Sequence, residues 1–122
     1  MALAKNIMQG GVSAGQAKAI NGNLATTLTA TGTTTSDALA LTADTNLIAT
    51  TASGTGVKVP SCEVGDSVEI YNGGANTLKV YPDTTSVQFN ALGAGNAFNL
   101  GTNTMCYCRR VSSTRWIVNL SA

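Results

Sequence analysis

From Leu24 to the C-terminus, apolar and polar residues alternate in short runs separated by clusters of Gly, Asn, Ser, Asp and Thr. A period of two is that of a half-buried β-strand, and the intervening clusters are turn formers. The pattern predicts strands at Leu24 to Ala30, Ala38 to Thr42, Asn46 to Thr50, Gly56 to Val59, Ser67 to Asn72, Thr77 to Tyr81, Ser86 to Phe89, Ala97 to Leu100, Thr104 to Val111 and Arg115 to Leu120. No sustained helical period interrupts them. The expected fold is all-β: a single compact β-sandwich or jelly-roll-like domain of about 8 to 10 short antiparallel strands.

The first 23 residues follow another pattern. Leu3, Ile7, Met8, Val12 and Ile20 fall at no fixed spacing, and Gly10, Gly11 and Gly15 interrupt any helix, each at a cost of about 1 kcal/mol relative to Ala. Residues 1–23 therefore read as an N-terminal arm, extended or briefly helical, ahead of a β domain over 24–122. Such an arm orders by lying on a neighbouring subunit, with Leu3, Ile7 and Met8 as its anchors. Gln9, Gly10 and Gly11 cut the stretch after a single early Lys5, so the expectation is that it is not a signal peptide. No window approaches the roughly 20 apolar residues of a membrane span.

Two hairpins can be placed in register. In the first, Asn72, Gly73, Gly74, Ala75 and Asn76 form the turn, Ile70 opposes Leu78, and Val68 opposes Val80 on the core face. Glu69 then faces Lys79 outside, a pair that contributes about 0.2 to 1 kcal/mol. Pro82, lacking an N–H, ends the outgoing strand. In the second, Ser112, Ser113 and Thr114 join the last two strands. Alternation puts Cys106 and Cys108 on one face with Trp116, Val118 and Leu120, and puts Tyr107 and Arg109 on the other with Arg115, Ile117 and Asn119. Trp116 is the expected large core residue, at a sheet end where its indole N–H can find an acceptor.

Composition narrows the chemistry. The 122 residues are 43% hydrophobic, which supports one folded domain, but only 11% are charged, against about 25% in typical domains. Seven Lys and Arg against six Asp and Glu leave no broad field for nucleic acid or an anionic membrane. The absence of His removes the commonest general base and the centre of a Ser-His-Asp triad. The acids Asp37, Asp44, Glu63, Asp66, Glu69 and Asp83 sit mostly at turns, with no paired spacing on one strand of the kind glycoside cleavage would use. Cys62, Cys106 and Cys108 are odd in number and lack the further ligands of a metal site, so they read as free thiols, suited to a reducing cytoplasm. The glycines of Gly54-Thr55-Gly56 and Gly93-Ala94-Gly95 lack the Gly-Lys-Thr/Ser ending of a phosphate loop. The chain is thus expected to carry no catalytic group, cofactor or metal. Its one basic cluster, Arg109, Arg110 and Arg115, reads first as an edge-protecting solvated face, next as a contact with another subunit and last as a nucleic-acid contact.

The stretches Ala38 to Asp44, Gly54 to Pro60, Gly65 to Pro82 and Ser112 to Trp116 resemble, across about two-thirds of the chain, a group of small virion proteins of tailed bacteriophages. The segment from Tyr71 through Asn76 to Val80, Tyr81 and Pro82 is the most specific part. The resemblance implies a head decoration, or cement, subunit on the capsid exterior, commonly trimeric, made in the host cytoplasm, with the major capsid protein as partner. On that reading Leu3, Ile7, Met8, Arg109, Arg110 and Arg115 are the candidate capsid or subunit contacts. The alternative is a tail fiber or spike module that binds a host receptor or carbohydrate through Tyr71, Tyr81 and Tyr107.

Overall fold

The computed structural model describes residues 22–121. Leu3, Ile7 and Met8, and with them most of the expected arm, lie outside the described residues. All ten predicted strands are present: β1 (Leu24–Thr29), β2 (Leu39–Ala40), β3 (Thr45–Thr50), β4 (Gly56–Lys58), β5 (Ser67–Asn72), β6 (Leu78–Tyr81), β7 (Gln88–Phe89), β8 (Phe98–Leu100), β9 (Thr104–Ser112) and β10 (Arg115–Leu120). The described residues contain no helix, so the all-β class holds.

The pairing differs from the expected antiparallel one. Strands β1-β3-β5-β9-β10-β7 form one sheet and β2-β4-β6-β8 a second. The chain alternates between them, so that β1, β3 and β5 lie parallel in the larger sheet and β2, β4 and β6 parallel in the smaller. Positions 24, 45 and 69 align in one sheet, and 39, 57 and 80 in the other. This is the winding of a short β-solenoid. Only β8, β9 and β10 add antiparallel neighbours, β8 closing the smaller sheet on β6 and β9 closing the larger on β5.

The first predicted hairpin is therefore incorrect. Ile70 pairs with Asn46 and Cys106, Leu78 with Leu100, and Val80 with Val57 and Phe98. Glu69 lies beside Thr45 and Tyr107, while Lys79 lies between Gly56 and Asn99 in the other sheet. The cause is the side chain of Asn72, which is fully buried. Its Oδ1 accepts from Thr51 Oγ1 (2.8 Å) and Gly74 N–H (3.0 Å), and its Nδ2 donates to the carbonyls of Asn76 (2.9 Å) and Leu100 (3.0 Å). All its polar capacity is used inside a corner that carries the chain from one sheet to the other. Gly74 is needed there, since a Cβ would fall 2.4 Å from Thr51 Oγ1.

The second hairpin forms with the predicted faces. Trp116 pairs with Arg110 and Val118 with Cys108 after an irregularity beside Arg115. Between the sheets lies one core that includes Ile48, Val57, Val68, Ile70, Leu78, Val80, Phe89, Phe98, Leu100, Cys106, Cys108 and Trp116. Phe89 meets Phe98 edge-on, with centroids 4.8 Å apart, a preferred aromatic geometry.

Candidate functional site

The three arginines of the expected basic cluster are separated by the strand that carries two of them. Arg110 points inward with Cys106 and Cys108 and is 8% exposed. Its Nη1 pairs with Asp83 Oδ2 at 3.2 Å, its Nε donates to the Ser112 carbonyl and its Nη2 to the Ser113 carbonyl, both at 2.7 Å. Its guanidinium also lies 5.6 Å from the centroid of the Trp116 ring. Arg110, expected as a candidate capsid or subunit contact, thus lies buried and bonds across the β9–β10 turn and to the exit of β6. The sequence signal was there, because strict alternation from Cys106 and Cys108 places position 110 inward, but an arginine next to Arg109 reads first as surface.

Asp83 is the residue that sequence reading passed over. Its carboxylate accepts from Arg110 and also from Trp116 Nε1 at 3.3 Å, which supplies the indole acceptor expected for Trp116. Position 83, just beyond Pro82, looks like an ordinary turn aspartate. Two other acids are turn formers as expected: Asp37 Oδ1 accepts from the N–H groups of Thr33 and Thr34 and from the Thr34 hydroxyl, and Asp66 caps the Glu63 N–H. The bonds from Thr34 hold the Asp37 carboxyl below its ordinary pKa.

Arg109 and Arg115 point outward and are exposed. Ser67 and then Arg109, beside the Tyr107 hydroxyl, hold it below the ordinary tyrosine pKa. Gln88, with its amide oxygen turned toward Arg115, accepts from that guanidinium. Around these residues the outer face of the larger sheet presents Met105, Tyr107, Val111 and Ile117. Of the three tyrosines weighed as sugar platforms, Tyr71 and Tyr81 are half-buried and their hydroxyls bond Asn103 Oδ1 and the Thr33 carbonyl. Only Tyr107 stands exposed.

Cys106 and Cys108 are buried with their sulfurs 3.8 Å apart, and Cys62 is partly exposed. The neighbouring Cys106 thiol and burial raise the Cys108 pKa well above that of a free thiol, and burial raises that of Cys62. Cys62 and Cys108 therefore stay protonated and weakly nucleophilic at neutral pH. Among the described residues no group of three or more Cys, Asp or Glu could hold a metal ion, and no helix is long and apolar enough to cross a membrane. A cleft of about 400 Å³ opens between the loops around Asp44, Pro60 and Asp66, but its carboxylates are bound to backbone N–H groups at Asn23 and Glu63. Among the described residues these side chains offer polar and apolar contact surface. Comparison with models of protein families, with curated proteins and with solved structures finds no match.

Proposed function

We propose that the protein is a structural subunit of a tailed-phage virion that decorates the outside of the head and ties together neighbouring copies of the major capsid protein. The observation that carries this reading is the outer face of the larger sheet, which leaves four large apolar side chains exposed on a sparsely charged support. Such a face suits contact with another protein, and few charges must be desolvated when it is covered. The motifs from Ala38 to Trp116 supply the phage context by resemblance, and with it the expectation of a homotrimer. On this reading the protein acts by binding and not by catalysis. Two sheets wound around one core form the rigid block, the 1–23 arm with Leu3, Ile7 and Met8 reaches a neighbour, and Arg109 and Arg115 remain candidate contacts.

A subunit that binds only the assembled lattice raises the free energy needed to disrupt it. Virions assembled without this protein are therefore expected to lose infectivity faster on heating than complete virions, and adding the purified chain back should restore the difference. Equal survival curves for the two particles would reject the cement role.

A further inference from the structure

The sequence contains two Asn-Gly pairs, Asn21–Gly22 and Asn72–Gly73. An asparagine followed by glycine is prone to lose its side-chain amide where the chain is flexible, because no Cβ obstructs the approach of the glycine nitrogen to the asparagine Cγ. In that reaction a bond forms between the glycine N and Cγ, the Cγ–Nδ2 bond breaks, and ammonia leaves carrying the proton of the glycine N–H. Water then opens the five-membered succinimide at either carbonyl. The products are aspartate and isoaspartate, in which the main chain runs through the former side chain. Water is the only co-reactant.

The corner between β5 and β6 obstructs each part of this reaction. Asn72 is fully buried, away from solvent. The attacking nitrogen is engaged elsewhere, since the Gly73 N–H donates to the Ile48 carbonyl at 2.8 Å. The leaving group, Nδ2, is held by the carbonyls of Asn76 and Leu100, while Thr51 Oγ1 and the Gly74 N–H hold Oδ1. Cγ can meet the Gly73 nitrogen only if this amide swings out of its four hydrogen bonds.

The same four bonds make the corner intolerant of the products. In aspartate an acceptor oxygen replaces Nδ2 and faces the two carbonyls that Nδ2 served, and a negative charge is placed in a site without solvent. Isoaspartate in addition lengthens the main chain at the residue that pairs with Ile48 in β3 and Thr104 in β9, so both neighbouring strands lose their register. We propose that Asn72–Gly73 is a latent deamidation site, silent while the corner is closed and reactive once it opens, and that its reaction bars the chain from closing again. A chain held open long enough then fails to refold through a covalent change at one residue, without any need for aggregation. This is a property of the purified chain, whatever its partners.

The full chain is held in mildly alkaline buffer with and without guanidinium chloride, and its peptides are mapped by mass spectrometry over several days. Residue 72 should keep its amide in native buffer and lose it at least about tenfold faster in denaturant. On dilution from denaturant, the fraction that regains the native Trp116 fluorescence should fall in step with conversion at residue 72. Asn21→Gln removes the other Asn-Gly pair and should leave that fall unchanged. Asn72→Asp, which makes one product directly, should not regain the native signal at any time. No conversion in denaturant, or conversion equally fast in native buffer, overturns the proposal. So does converted chain that refolds to the native signal, and so does a refolding loss that Asn21→Gln abolishes.

Discussion

Asp83 accepts hydrogen bonds from two buried donors on different strands, the Arg110 guanidinium and the Trp116 indole. Both members of the ion pair have side chains less than a tenth exposed, so removing either leaves the other's charge in a poorly solvated site. Asp83→Ala is expected to cost about 3 to 5 kcal/mol of unfolding free energy. In an Arg110→Met background the same change should cost far less, because no buried cation is stranded. Urea denaturation of the four chains of this cycle checks the point, and additive losses would show that the two groups do not interact. At this scale the sequence was legible in part. Trp116 announced itself as a core residue by its size and its place in the alternation, and alternation from Cys106 and Cys108 carries Arg110 inward, but the acceptor that both use, the distant Asp83, is not revealed by local pattern.

The strand β10 shows how an element is finished by a side chain. Its outer edge is paired by the two-residue β7 only at Arg115 and Trp116. Beyond them Asn90, held at φ 49°, turns its amide onto the strand: Oδ1 accepts from the Val118 N–H (3.0 Å) and Nδ2 donates to the Val118 carbonyl (3.3 Å). One asparagine thus takes the place of a further strand residue and blocks an edge that would otherwise invite pairing with another chain. Asn90→Gly keeps the left-handed backbone accessible but removes the plug. It should lower stability by about 1 to 2 kcal/mol and speed aggregation of concentrated protein, followed by light scattering; unchanged scattering kinetics would argue that the edge is protected by other means. The existence and approximate ends of every strand could be read from the sequence, because alternation is a local consequence of burying one face. The role of Asn90 could not, since it bonds a strand 28 residues away.

For the molecule as a whole, the wall of thiols offers a probe of cooperativity. Cys106 and Cys108 lie fully buried between the sheets, whereas Cys62 is partly exposed. With the Cys62 and Cys108 pKa values raised, labelling should accelerate as pH rises toward and above the ordinary thiol range, Cys62 reacting first. Cys106 and Cys108 should react only through global opening, at rates that follow the unfolding free energy in added urea. Fast labelling of all three in native buffer would contradict a single closed core.

The alternating pattern, the low charge and the absence of histidine are written in the chain, and the alternation determined an all-β fold. It did so because side-chain period is a property of the residues alone. Which strand lies beside which was decided by tertiary structure. A turn of Asn and Gly between two strands serves a hairpin and a solenoid corner equally well, and the choice fell to a buried Asn72 whose amide is satisfied by Thr51 and Leu100, residues far along the chain in both directions. The successive coils also differ in length, so no fixed repeat marked them. Packing likewise gave the arginines their partners, spending Arg110 on Asp83 and leaving Arg109 and Arg115 on an open face, because alternation separates the two faces of a strand but only the packed molecule brings a residue 27 positions away against one of them.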